Sequence, residues 1–157
     1  MAADTPQTRR VAMRITISFG PEPGGATDIL HRLVRLGLGG KQGPGDQIVS
    51  WIHTDDFARA VEWLLEHQEL SGPINLAAPN PLSNQAFMRL FRKAVGIPFG
   101  LPCPKPLLAL GAIFLRTEPE LILKSRRVIP ARLLKSGFEF RHPTWGAAVE
   151  DIVNRRL

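Results

Sequence analysis

The chain has 157 residues, 44% hydrophobic and 22% charged, a balance that supports a folded core and excludes wholesale disorder. Its net charge of +6 is uneven: residues 1–80 hold 7 basic and 9 acidic side chains, whereas residues 81–157 hold 13 and 5. A basic half can attract anionic ligands or nucleic acid, but no recognition motif accompanies it, so a nucleic-acid partner is disfavoured. The one cysteine, Cys103, excludes an internal disulfide and cannot form a zinc site alone. The longest apolar run, Leu107 to Leu115, is too short to span a bilayer, so the expectation is a cytoplasmic protein with no membrane partner.

In chain order, Val11 to Phe19 is β-branched and apolar and predicts a buried strand in which Arg14 is the one charged position. A guanidinium buried there would need a carboxylate or an anionic ligand. The loop Gly20 to Gly25 leads into a helix from Ala26 to about Leu36, which the glycines of 37–45 end. Gln47 to Ile52 predicts a second strand. Thr54-Asp55-Asp56 reads as a helix start, with Thr54 as cap and both carboxylates in the first turn. Ile74 to Ala77 predicts a third strand, and Ser83 caps a helix carrying Phe87, Leu90 and Phe91. Proline-rich punctuation after Gly96 precedes short helices at about 106–115, 118–128 and 131–136. A short strand at Phe138–Phe140 and a last helix capped by Thr144 follow.

Strands alternating with helices imply an α/β fold with a mostly parallel sheet. Two or three strands are too few for one, because parallel strands need neighbours and cover on both faces. The expected organisation is a partial Rossmann-like sheet (the last strands only) with a small, mostly helical substrate-side lobe. Residues 1–10 would be a flexible segment, 11–97 the sheet portion and 98–157 a small second domain.

The candidate chemistry is thin. Gly37-x-x-Gly40-x-x-Gly43 has dinucleotide-type spacing but follows a helix and leads into a strand, the reverse of what a phosphate loop needs. Gly20 to Gly25 has the right order of elements without the glycine spacing. Ser50, His53 and Asp55 lie too close in sequence to converge as a triad, and His53 with Asp55 offers too few metal ligands. The basic residues Arg126, Arg127, Arg132, Lys135 and Arg141 read as a solvated face.

Several segments together carry a resemblance. Trp51-Ile52-His53-Thr54-Asp55-Asp56-Phe57-Ala58-Arg59-Ala60, Ser71-Gly72-Pro73-Ile74-Asn75-Leu76-Ala77-Ala78-Pro79 and Val128-Ile129-Pro130-x-x-Leu133-Leu134-x-x-Gly137-Phe138-x-Phe140 resemble, in that order, the epimerase-family branch of extended short-chain dehydrogenases/reductases. The last block resembles the small carboxy-terminal domain of that branch. The resemblance implies a parent that binds NAD or NADP and acts on a sugar-nucleotide-like or other small hydroxyl or carbonyl substrate. It implies that the glycine-rich dinucleotide loop and the catalytic Tyr-x-x-x-Lys belong upstream of Val11. This chain contains no tyrosine, so no catalytic residue is assigned to it, no metal ligand, and no tight cofactor binding. Ligands in such sheets lie beyond the carboxyl ends of the strands. The resemblance therefore puts Arg14, Ile15 and Thr16 near the cofactor and Gly24, Gly25, Trp51 and His53 at the substrate cleft. The expected partners are a missing amino-terminal half or a second copy. The alternative is a non-catalytic module that binds a protein or nucleic-acid partner through its basic carboxy-terminal half.

Overall fold

The computed structural model describes residues 8–102 and 125–156. Cys103, the expected helix at 106–115 and most of that at 118–128 lie outside them.

The first predicted strand is two: β1 (Val11–Ile15) and β2 (Ile17–Phe19). The break is Thr16, whose amide and hydroxyl both donate to the Leu76 carbonyl, at 3.2 Å each. The second predicted strand is also two, β3 (Ile48–Val49) and β4 (Trp51–His53), divided at Ser50. The third is β5 (Gly72–Leu76), and β6 (Leu82–Ser83) was not anticipated. Across the Thr16 break the chain changes partner: β1 runs parallel to β5 in the register Met13–Ile74, and β2 runs parallel to β4 in the register Ser18–Ile52. β3 and β6 form a small antiparallel pair.

Helices α1 (Ala26–Arg35), α2 (Thr54–Glu66), α3 (Asn84–Val95), α4 (Ala131–Lys135) and α5 (Trp145–Asn154) complete the α/β architecture. Ser83 caps α3 as expected, its hydroxyl accepting from the Ala86 amide, and Gly96 ends that helix in the left-handed conformation. Thr144 stands at the amino end of α5, but its side chain makes no capping hydrogen bond. Other expectations fail as well. Phe138–Phe140 is not a strand: Gly137 (φ 90°) turns the chain after α4 and the two rings pack edge to face. Residues 125–128 are not helical either. They lie beside β3, where Arg126 donates to the Ile48 carbonyl and the Ser50 hydroxyl bridges the Arg126 carbonyl and the Val128 amide.

Alternation along β4 divides the core. Trp51 faces a cluster with Phe19, Val34, Phe87, Phe91, Trp145, Val149 and Ile152, drawn from α1, α3 and α5. Ile52 faces a second cluster with Ala60, Leu64, Ile74, Leu76 and Leu133, drawn from α2, α4 and β5. Trp145 is the hub of the first: its ring stacks on Phe87 at 4.0 Å and meets Phe19 and Trp51 edge-on at 5.0 Å each. Its indole N–H donates to the Phe87 carbonyl at 3.0 Å, so the burial leaves no donor unpaired.

Helix α2 is fastened at both ends by remote residues. It has no basic residue in its own last turn, and Arg9 fills that role by donating to the carbonyls of Leu64, His67 and Leu70. The opposite end is held by the carboxylate of Asp56, described below.

The strand expected to be most buried is the most exposed. Met13 is 44% and Ile15 52% exposed, and Arg14 is exposed as well. Arg14 is therefore not a buried guanidinium in search of a partner. Among the described residues β1 pairs along one edge only, with β5. An apolar groove of about 230 Å³ runs beside it, lined by Val11, Met13, Val61, Leu64 and Leu65 and closed at one end by Arg9.

Candidate functional site

The carboxyl ends of β2 and β4 meet the amino ends of α1 and α2, which is where an α/β sheet places ligands. Thr54 does not cap α2 as predicted. The cap is His53, whose Nδ1 accepts from the Asp55 amide at 3.1 Å. Thr54 is the first helical residue, and its hydroxyl donates to the Glu22 carboxylate across the Gly20–Gly25 loop. Asp56 is buried. Its Oδ1 accepts from the Arg141 amide at 2.8 Å and from Arg59 at 3.1 Å, and its Oδ2 accepts from the His142 amide at 2.8 Å. A carboxylate taken out of water is stable only when so completely paired.

The imidazoles of His53 and His142 stack at 4.0 Å. Together with Asp55 and Asp151 they place four potential ligand atoms within 4.8 Å of one another, where sequence spacing had given only two. The chemistry of the donors fits a latch better than a metal site. The Asp55 amide already occupies the Nδ1 lone pair of His53, so the ring proton resides on Nε2, which faces Asp151 Oδ2 at 3.3 Å without a well-aligned hydrogen bond. Arg155 meanwhile neutralises both carboxylates, lying 2.7 Å from Asp55 and 3.3 Å from Asp151. The group ties the amino end of α2 to α5 and to the 139–143 segment.

Burial pushes the His53 pKa down, and the adjacent His142 adds to this against the opposing pull of Asp55, Asp151 and Asp56. The folded chain therefore binds fewer protons here than the unfolded chain. The stability this contributes is complete above pH 6.5 and is lost as the pH falls through the depressed folded value. The urea midpoint should drop as the pH is lowered from 7.5 to 5. In His53→Asn, which keeps a cap acceptor but does not titrate, that drop should shrink. A residual drop is expected from His31, whose pKa burial also lowers.

The Gly20–Gly25 loop is closed by the chain's own groups. A Cβ on Gly20 would lie 2.1 Å from the Glu22 carboxylate and 2.2 Å from the Thr54 hydroxyl, so no room is left there. The Asp28 carboxylate accepts from the Gly24 amide and pairs with Arg156, and these two groups hold its pKa below the usual carboxylate range. Arg156 also donates to the carbonyls of Pro21 and Glu22. With carboxylates already seated at the amino ends of α1 and α2, this loop does not fit a dinucleotide pyrophosphate.

The predicted site residues are thus dispersed. Gly24 and Gly25 are both exposed at the loop tip. The side chains of Trp51 and His53 are wholly buried, one in the aromatic core and the other in the latch, and expose no atom to a ligand. Arg14 and Ile15 are exposed at the end of β1, and Thr16, just beyond it, is half-buried and bonded to Leu76 of β5. Sequence reasoning placed Asp56 in the first turn of a helix but missed its anchoring role, and it missed Arg155, Arg156, His142 and Asp151 altogether. Of the Asp56 partners only Arg59 is local; the Arg141 and His142 amides lie 85 and 86 residues away.

The chain has recognisable relatives. A family described as "Domain of unknown function (DUF1731)" matches residues 104–152. The epimerase family protein Mb2239 of Mycobacterium bovis is 36% identical over 141 residues, covering 90% of this chain and 46% of that protein. The crystal structure of the human epimerase family protein SDR39U1 with NADPH superposes with a TM-score of 0.84 at 34% identity, covering 94% of this chain and 49% of that one. A nucleoside-diphosphate sugar epimerase from Corynebacterium glutamicum superposes with a TM-score of 0.69 at 30% identity, covering 92% of this chain and 26% of that one. The chain spans about half the length of the curated relatives it matches. Over the half that it spans, the chain is similar to proteins of the epimerase family and shares the Rossmann-like α/β fold of these structural neighbours.

Proposed function

We propose that this chain is the substrate-side portion of an epimerase-like NAD(P)-dependent oxidoreductase whose cofactor is held by the half of the family fold that lies outside these 157 residues. The observation that carries the reading is β1: a parallel strand that pairs along one edge only among the described residues, with exposed apolar side chains and a groove beside α2. Parallel strands are stable when both faces are covered, and the relatives are about twice as long as this chain. The missing half would add a strand to β1 and a helix over Val11, Met13 and Leu65. That docking would bring Arg14, Ile15 and Thr16 toward the cofactor, and the Gly24–Gly25 loop tip toward a small hydroxyl or carbonyl substrate of the sugar-nucleotide type.

The chain has no tyrosine, so the acid/base that moves the proton during hydride transfer would come from the other half. A reducing, cytoplasmic setting suits this chemistry. Among the described residues no helix is long and apolar enough to cross a membrane.

Residues 1–157 alone should show no NADPH-dependent change in melting temperature, and should self-associate through β1. Co-expression with the remaining half of the mycobacterial relative should restore a cofactor-dependent rise, and Met13→Lys with Ile15→Lys should prevent it. A rise of several degrees for the isolated chain at millimolar NADPH would sink the reading.

A further inference from the structure

Apart from the strand-end residues considered above, the loop after α1 and the segment after α3, with one face of α3, build a cavity of about 270 Å³. Its construction is specific. The Gly40 amide donates to the Leu101 carbonyl at 3.0 Å, and the Leu101 amide donates to the Gly37 carbonyl at 2.7 Å, so the two loops lie back to back. Only glycines permit the approach: a Cβ on Gly40 would lie 2.4 Å from the Leu101 carbonyl oxygen, and one on Gly100 would lie 2.6 Å from the Gly40 nitrogen. This is a different use of the glycine-rich 37–45 stretch from the phosphate loop its spacing suggested.

Three cations surround this floor, Lys41, Arg89 and Arg92, and among the described residues no carboxylate lines the cavity. Gln85, Arg89 and Arg92 are spaced to share one face of α3. The Arg92 guanidinium is fixed by donation from Nη1 to the Gly39 carbonyl at 2.6 Å, while its buried Nε has no hydrogen-bond partner. The stem of Lys41 packs against Gly45, where a Cβ would lie 2.9 Å from its Cδ. Concave, single-sign charge focuses the field and concentrates anions. The planar forks of Arg89 and Arg92 match phosphoryl oxygens in pairs.

We propose that this cavity binds the phosphoryl group of a small phosphorylated ligand, with Lys41, Arg89 and Arg92 as the recognising groups. The site uses residues of this chain alone and does not rest on the docking proposed above. Pyrophosphate is the probe, titrated into the full chain and followed by calorimetry and by amide NMR shifts. Binding is expected to saturate, with the largest shifts at Gly40, Lys41 and Gly100. Lys41→Ala with Arg89→Ala, both exposed positions, should weaken it about tenfold or more without changing the melting temperature, and Lys135→Ala on α4 should leave it unchanged. The proposal is overturned if pyrophosphate does not saturate at millimolar concentration, if Lys135→Ala weakens it equally, or if only a single-stranded oligonucleotide binds. The last result would identify a nucleic-acid surface instead.

Discussion

Replacing Asp56 by asparagine should lower the unfolding free energy by about 3 kcal/mol. The side chain keeps its shape, but one of its two polar atoms becomes an N–H₂ facing a donor. Oδ1 now takes the Arg141 amide and Arg59, and Oδ2 takes the His142 amide. Whichever way the amide is turned, at least one buried donor loses its acceptor, and Arg59 loses its counter-charge. Urea unfolding measures the loss. Limited proteolysis locates it, because cleavage near 139–143 should accelerate before cleavage elsewhere. A midpoint equal to that of the parent chain would show that the three hydrogen bonds contribute nothing net.

Trp145→Ala should be costlier, about 3–5 kcal/mol. The indole contacts Phe19 from β2, Trp51 from β4 and Phe87 and Phe91 from α3. Its removal therefore leaves a void that no single element can close, and leaves the Phe87 carbonyl without its donor. Trp145→Phe should recover more than half of the loss, since it restores ring packing and forfeits only the hydrogen bond and part of the volume. The near-ultraviolet circular dichroism of the coupled rings should collapse in the alanine variant at temperatures where its far-ultraviolet spectrum persists.

Periodicity and capping chemistry made most of the fold legible. The apolar stripe of α2, the Ser83 cap and the glycines that end α1 and α3 act over four residues or fewer, and each was readable in place. What failed was non-local. Phe138 and Phe140 alternate like a strand but have no ladder partner among the described residues; they pack on each other, and Phe138 also packs on Trp63. Thr54 has the chemistry of a cap, yet Glu22, 32 residues away, claims its hydroxyl. His53, not usually favoured as a cap, takes the role because β4 delivers its Nδ1 to the open Asp55 amide. The burial expected of Val11–Phe19 holds only at its end, in Phe19. The described residues supply cover for Phe19 and leave Met13 and Ile15 bare. The latch was illegible for a simple reason: Asp55, Asp56 and His53 meet His142, Asp151 and Arg155 only after the whole sheet has formed between them.

The fastening of α2 bears on biosynthesis. Its carboxyl end is held by Arg9, which is translated before it, but its amino end waits for Arg141, His142 and Arg155, which are translated well after it. A nascent chain on the ribosome can form α2 locally but cannot lock it until the segment through α5 has emerged. Until then the Asp56 carboxylate remains in water, so the interval between translation of α2 and translation of α5 is when a chaperone would be most needed.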